Sequence, residues 1–286
     1  MPELPEVETI RLDLQKDIVG KRVKSVNILV KKQFVGNPKK ITGAKIISIK
    51  RVGKNLSFAL DNNLFLNIHL KMTGQLLYTK NINQPVFKNP IPFIKDAKMP
   101  GKTTRVIITF TDNSAIFFND MRKFGWMKIN DSQQKPNGID VLAKEFTSIY
   151  FRKLIQLTST SSRPIKLFLL DQDKIAGIGN IYANEALFLA KIHPERKTNT
   201  FNDKEINHLY LAIKKVIKQG LKYKGSSAAD EAYILPNSSK GSYQNHFLVY
   251  QKEGEKCLKC RSVIKRLKQA GRSSFFCPKC QLAIHT

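Results

Sequence analysis

Met1-Pro2-Glu3-Leu4-Pro5-Glu6 sets a small proline directly behind the initiator methionine. Removal of Met1 would give Pro2 a free secondary amine beside the carboxylate of Glu3. An amine with a pKa near ~8 is partly neutral at physiological pH, and burial lowers that pKa further. Neutral amines attack electrophilic carbon and can form Schiff bases. The same residues also suit the start of an ordinary helix, whose first turn favours acids. At the other end of the chain stand Cys257-x-x-Cys260 and Cys277-x-x-Cys280, with 16 residues between the pairs. Two such knuckles can close a tetrahedral zinc site with four thiolates. Two disulfides are the alternative, and a cytoplasmic setting favours the metal. One structural zinc ion would supply folding energy to a module too small for its own core. Residues 256–286 hold eight Lys or Arg and no acid, so the hairpin between the knuckles suits phosphate contact.

Two interior stretches add polar groups. Gly177-Ile178-Gly179-Asn180 precedes a helical pattern, where free amides can meet a phosphate. Tyr182 in place of a third glycine, and no strand before the motif, argue against a dinucleotide fingerprint. In Asp120-Met121-Arg122-Lys123-Phe124-Gly125, Arg122 and Phe124 would share a side if extended. A cation beside an aromatic ring suits wedging between bases. A surface arginine and a core phenylalanine would look the same.

Elements must hold these groups in place. Val7, Ile10, Leu14 and Ile18 form the stripe of one helix, with Gly20 at its end. Seven short runs rich in Val, Ile and Phe predict strands at 22–30, 44–50, 56–60, 64–70, 105–110, 115–119 and 125–129. Residues 81–101, with four prolines, read as a surface loop, and 131–140 as a hinge. Helical periodicity follows at 141–157, 164–170, 181–191 and 203–222, and 225–241 then reads as a loop of small and polar residues. The expected organisation is α+β and multidomain. It has a β-sandwich over 1–130, a helical domain over 141–245 and a cysteine module over 246–286.

Charge narrows the partner. Forty-nine Lys and Arg against 22 Asp and Glu leave a formal +27, which suggests a polyanion. The basic residues are spread along the chain and no apolar run approaches the ~20 residues that span a bilayer, so nucleic acid fits better than a membrane. The acidic start carries no secretory signal, and a cytoplasmic protein is expected.

In order along the chain, PELPEVET, GKNL around Lys54, HLKMTG at 69–74, NDMRKFG at 119–125 and DQDKIAGIGNIYANEALFLAKIHP at 171–194 resemble the formamidopyrimidine-DNA glycosylase (Fpg/Nei) family. So do VYQKEGEKCLKC at 249–260 and GRSSFFCPKC at 271–280. The resemblance spans nearly the whole chain. It implies an N-terminal β-sandwich, a helix–two-turn–helix domain with a lesion-recognition loop at 225–241, and a C-terminal zinc finger. It further implies a bifunctional glycosylase and AP lyase of base excision repair, acting as a monomer on double-stranded DNA with oxidised purines or abasic sites. Pro2 then matches the nucleophile and Glu3 the acid that helps open the sugar. Lys54 and Arg272 match the basic residues of the β- and δ-elimination steps. Met72, Arg122 and Phe124 match the wedge that replaces a flipped nucleotide, and His69, Lys166, Asn180 and Tyr243 match DNA contacts. Lys102-Thr103-Thr104-Arg105-Val106 departs from the family's histidine-bearing KHxHV, so one DNA-contacting histidine is missing. Leu4 and the Met72, Arg122 and Phe124 wedge favour the Fpg branch over the endonuclease VIII branch, which typically begins PEGPE. A catalytically silent zinc-finger protein that binds damaged or bent DNA would keep charge, finger and wedge but need neither Pro2, Glu3 nor Lys54. A basic ribosome- or RNA-binding protein would account for charge and zinc but not for the wedge or the N-terminus.

Overall fold

The computed structural model describes residues 1–87, 89–94, 98–157, 162–227 and 233–282. Its contacts divide the chain into two compact units, Met1–Lys135 with Tyr223–Gln244, and Pro136–Lys222 with Asn245–Thr286. In the first unit, helix α1 (Leu4–Ile18) is opened by Glu3, whose backbone N–H donates to Glu6 Oε2 at 2.9 Å in a capping box. Val7, Ile10, Leu14 and Ile18 are buried. At about 1.5–3 kcal/mol per side chain, that burial outweighs anything propensity adds to a helix this short. The helix exists because it docks, and docking fixes the N-terminus.

Strands β1 (Val23–Ile28), β2 (Phe34–Val35), β3 (Ile46–Val52), β4 (Asn55–Leu60), β5 (Phe65–His69), β6 (Gly74–Thr79), β7 (Thr104–Phe110), β8 (Ala115–Asp120) and β9 (Trp126–Asn130) follow. They form two sheets, β1-β7-β8-β6 and β2-β9-β5-β4-β3. Val106, Ile108 and Phe118 from one sheet and Leu56, Phe58 and Ile68 from the other share a core with α1. This is the expected sandwich. β6 has no alternation to read, because Leu76 faces that core while Leu77 faces a second cluster with Ile107 and Phe117. Ile91 and Met99 complete the second cluster. The stretch 81–101 therefore covers a sheet face rather than running free over the surface, its residues 88 and 95–97 lying outside the described ones.

Residues 225–227 and 233–241, grouped by sequence with the helices, join the first unit instead. Tyr233 and Leu235 lie in the sandwich core and Ile234 in the second cluster, burial that outweighs the polar character of their neighbours. Residues 228–232 lie outside the described ones.

The second unit holds β10 (Ile139–Asp140), α2 (Ser148–Leu157), α3 (Ile165–Leu169), β11 (Ile175–Ala176), α4 (Asn180–Leu189), α5 (Asp203–Lys222), β12 (Lys265–Gln269) and β13 (Arg272–Phe276). Helix α2 begins later than the periodicity from 141 suggests. Asp140 Oδ1 accepts the Leu142 N–H at 2.7 Å, a local turn that competes with helix, and the Thr147 hydroxyl then accepts from Tyr150 N–H at 3.2 Å. Against expectation, a strand does precede the Gly177 motif: β11 pairs in parallel with β10, each only two residues long. Helix α4 is buried on nearly all sides. Phe188 from α4 joins Val249, Cys257, Ile264, Phe275 and Cys277 in the small core beneath the β12–β13 hairpin.

Candidate active site and metal centre

Pro2 and Glu3 are buried at the head of α1. Lys54 stands in the two-residue turn between β3 and β4, and it too is buried. A single guanidinium connects the two places. Arg51 Nε donates to Glu8 Oε2 of α1 at 2.8 Å, and Arg51 Nη1 donates to the Gly53 carbonyl at 2.9 Å, one residue before Lys54. The pair is largely shielded from solvent, so the bonds are worth more than at an open surface. An amine-bearing terminus and a lysine ammonium are thus referenced to one another through α1.

Glu6 was not singled out from sequence, although Glu3-x-x-Glu6 carries the spacing of a capping box. Its carboxylate takes the Glu3 N–H on Oε2 and the Ser226 N–H on Oε1, the latter at 2.8 Å. Gly225 makes that approach possible. Its φ is +77°, and a Cβ there would lie 2.7 Å from Glu6 Cγ. The Ser226 hydroxyl is buried with no partner among the described residues. Tyr243 is buried in the same unit and donates its N–H to the Gly225 carbonyl at 3.0 Å.

His69, at the end of β5, accepts the Lys71 N–H on Nδ1 at 2.9 Å, which leaves Nε2 to carry the ring proton. Burial, with the Lys71 and Lys54 ammoniums nearby, pushes its pKa down to about 3. His69 is therefore a neutral donor at pH 7. The unfolded chain takes up a proton near pH 6.5 that the native ring refuses until about 3, so this contribution to stability is present above 6.5 and lost as pH falls toward 3. His69→Gln should flatten the pH dependence of Tm across that window. A slope equal to wild type would mean that another group carries it.

Met72 sits half-exposed in the turn from β5 to β6, and Phe124 is 54% exposed in the turn from β8 to β9. Arg122 lies over the Phe124 ring, its guanidinium carbon 5.0 Å from the centroid. They meet through a turn with Lys123 at φ +58°, not through the extended strand suggested by their spacing. Two exposed apolar side chains and a cation are thereby held on short turns of one sandwich.

In the second unit, Asn180 opens α4 and Arg272 opens β13, where it is exposed. Both touch the same short strand, since Asn180 Nδ2 donates to the Ser273 carbonyl at 3.2 Å. Lys166, expected at a phosphate, has a fully buried ammonium that donates to Ser273 O and Ser274 Oγ, each at 2.7 Å. Those bonds make it a brace behind Arg272. Asn184, one turn along α4, accepts the Phe275 N–H at 2.7 Å. Glu185, fully buried, accepts the N–H groups of Leu248, Val249 and Tyr250 at 2.8–3.0 Å, and burial raises its pKa.

The ligand atoms of Cys257, Cys260, Cys277 and Cys280 lie within 4.8 Å of one another, and none of the four is in a disulfide. Zinc–sulfur bonds of ~2.3 Å in a tetrahedron require sulfur atoms about 3.8 Å apart. The Cys257–Cys280 separation is 3.9 Å and Cys260–Cys277 is 3.3 Å. The tetrad can hold one metal ion.

Residues 1–127 match the model of the formamidopyrimidine-DNA glycosylase N-terminal domain, and 138–231 that of its H2TH domain. Residues 254–283 match a zinc finger found in FPG and IleRS. The formamidopyrimidine-DNA glycosylase of Desulforamulus reducens is 37% identical over 99% of this chain and 100% of its own length. That of Listeria innocua is 36% identical over 98% of this chain and 100% of its own. Two solved structures of Lactococcus lactis Fpg also align at 31% identity, over 98% of this chain and 100% of theirs. The one with Fapy-dG-containing DNA has a TM-score of 0.81, and the one with abasic-site DNA 0.82. No helix among the described residues is long and apolar enough to cross a membrane. Matching these models over most of its length and these relatives over nearly all of it, the chain belongs to the formamidopyrimidine-DNA glycosylase family.

Proposed function

We propose that this chain is a bifunctional DNA glycosylase and AP lyase of base excision repair, removing 8-oxoguanine and formamidopyrimidines from double-stranded DNA. The observation that carries the reading is the buried N-terminus, with Pro2 held at the head of a docked helix and linked through Glu8 and Arg51 to the Lys54 turn. Once Met1 is removed, the Pro2 nitrogen attacks the sugar's anomeric carbon, the damaged base leaves with the bonding electrons, and an iminium forms. Glu3 helps open the sugar ring. Lys54 and Arg272 serve the β- and δ-elimination steps that cut the strand on both sides of the abasic sugar. A base inside the stack cannot be attacked, so it is extruded first, with Met72, Arg122 and Phe124 filling its place. His69, Asn180 and Tyr243 contact DNA, while Lys166 acts through the strand it braces. The unpartnered Ser226 hydroxyl beside Glu6 offers the extruded base a donor and an acceptor within the 225–241 segment. One zinc ion on the four cysteines holds the finger that presents Arg272. The enzyme works as a monomer on the chromosome in the cytoplasm.

The test is borohydride reduction during reaction with a duplex bearing one 8-oxoguanine opposite cytosine. The expected product is a covalent protein–DNA adduct that maps to the N-terminal peptide and is absent with undamaged duplex. Tight lesion binding without any adduct would instead identify a catalytically silent DNA-binding protein.

A further inference from the structure

Asp120 ends β8 with its side chain wholly buried, out of reach of any substrate. All four acceptor positions of its carboxylate are used. Oδ1 takes the Thr73 hydroxyl at 2.5 Å and the Arg122 N–H at 3.2 Å. Oδ2 takes the Gly125 N–H at 2.7 Å and the Gln33 side-chain amide at 3.0 Å. An ionised carboxylate offers about four such sites and no donor, so the match in number is complete.

These partners belong to two different turns. Thr73 follows Met72, whereas Arg122 and Gly125 bracket Phe124. The turns are also stitched directly, because the Thr73 hydroxyl accepts the Arg122 N–H at 3.0 Å while donating to Asp120. Gln33 grips the same place from behind, its amide donating to the Gly125 carbonyl at 3.0 Å as well as to Asp120. Gly125 is pressed in so closely that a Cβ would meet Phe118 Cζ at 2.8 Å and Asp120 Oδ2 at 3.2 Å. The main chain of Asp120 is itself held, its carbonyl accepting Arg105 Nε–H at 2.8 Å.

We infer that Asp120 is the positioning residue of the wedge, with Thr73 as its link, holding the Met72 turn and the Arg122–Phe124 turn as one body. The inference rests on the wedge role proposed above. A wedge unstacks bases only if its stem resists the load, and hydrogen bonds to a buried ionised acceptor are the strong kind. With both turns on one carboxylate, insertion of the two apolar tips is a single event rather than two independent ones. The chemistry at the sugar uses other residues, so Asp120 bears on base extrusion and leaves elimination at a site already lacking its base nearly untouched.

The experiment is single-turnover kinetics on two duplexes, one with 8-oxoguanine opposite cytosine and one with a preformed abasic site. The readout is the ratio of excision to strand cleavage. Thr73→Val removes the linking hydroxyl at nearly constant volume and should lower that ratio by ~10-fold, the scale of one lost hydrogen bond to a charged group. Thr73→Ser retains the hydroxyl and should restore the ratio. Asp120→Asn turns an amide donor toward N–H groups that need an acceptor, and should lower the ratio by roughly 100-fold. Trp126, the chain's single tryptophan, reports by its emission whether a variant is folded at the wedge, and if Asp120→Asn is not, the Thr73 pair decides. Phe124→Ala is the reference. If it lowers the ratio while Thr73→Val and Asp120→Asn leave it unchanged, the wedge stands and the positioning role is wrong. If Phe124→Ala slows both reactions equally, the wedge reading falls and the inference falls with it.

Discussion

Protein that retains Met1 forms no borohydride-trapped adduct with lesion DNA, while protein beginning at Pro2 traps efficiently. That is the expected result, and it follows from one bond. With Met1 attached, the Pro2 nitrogen is a tertiary amide whose lone pair is delocalised into the carbonyl, and it cannot add to carbon. Freed, it is a secondary amine held at the head of the docked α1 helix, and its neutral form can add to carbon. A secondary amine has no second proton to lose after addition, so the adduct is obliged to be a cationic iminium, an electron sink for elimination. Pro2→Gly keeps an amine at the same place but loses the ring that fixes its direction. Its trapping rate should fall by on the order of 100-fold. The measurement is the crosslinked band on a denaturing gel, with the mass of the N-terminal peptide read from each preparation. Full trapping by protein that still carries Met1 would move the nucleophile to a lysine, and Lys54 would be examined first.

If the four cysteines hold the proposed zinc ion, stripping it should weaken DNA binding by at least ~100-fold while most helical signal survives. The finger's own core is small, with Val249, Cys257, Ile264, Phe275 and Cys277 packed against Phe188. Zinc binding to such modules is worth about 10–16 kcal/mol, well above what five or six side chains supply after the entropy of ordering them. Helices α2 and α5 depend on other contacts and should remain. The hairpin that carries Arg272 should not, even though Lys166 and Asn184 brace its strand. Chelation followed by zinc titration, read by circular dichroism and by binding to abasic-site duplex, separates these parts. A chelated preparation shown by mass to hold no metal, yet binding as before, would remove the ion from the account.

What could be read from sequence was whatever leaves a local pattern. The α1 stripe, the long periodicity of 203–222 and the paired C-x-x-C knuckles each put their cause within a few residues, and each reappears in the structure. β6 left no such trace because both its faces are covered. Lys166 matches a phosphate contact by resemblance, and nothing in its local sequence marks it as an inward-facing cation among the 49 Lys and Arg. Only the fold shows its ammonium turned inward onto Ser273 and Ser274. Asp120 and Thr73, 47 positions apart, stand next to residues that could be singled out but carry no signal of their own. A hydrogen bond between distant turns has no periodicity. Glu6 was legible in principle from its spacing to Glu3, though its second partner, Ser226, was not.

The return of residues 223–244 to the first unit has a consequence for how the protein is made. Tyr233 and Leu235 fill part of the sandwich interior and Ile234 joins the cluster on the outer sheet face, yet all three are translated after the whole of α5. A ribosome that has released the first 135 residues has therefore released an unfinished sandwich, with apolar surface open to solvent. That surface stays open for about 100 more residues, ~5–20 s at ordinary elongation rates, a window in which chaperones can bind. A fragment cut at the apparent boundary near 135 would hold that exposed state permanently, so truncation to the N-terminal block yields an aggregation-prone species rather than an isolated catalytic domain.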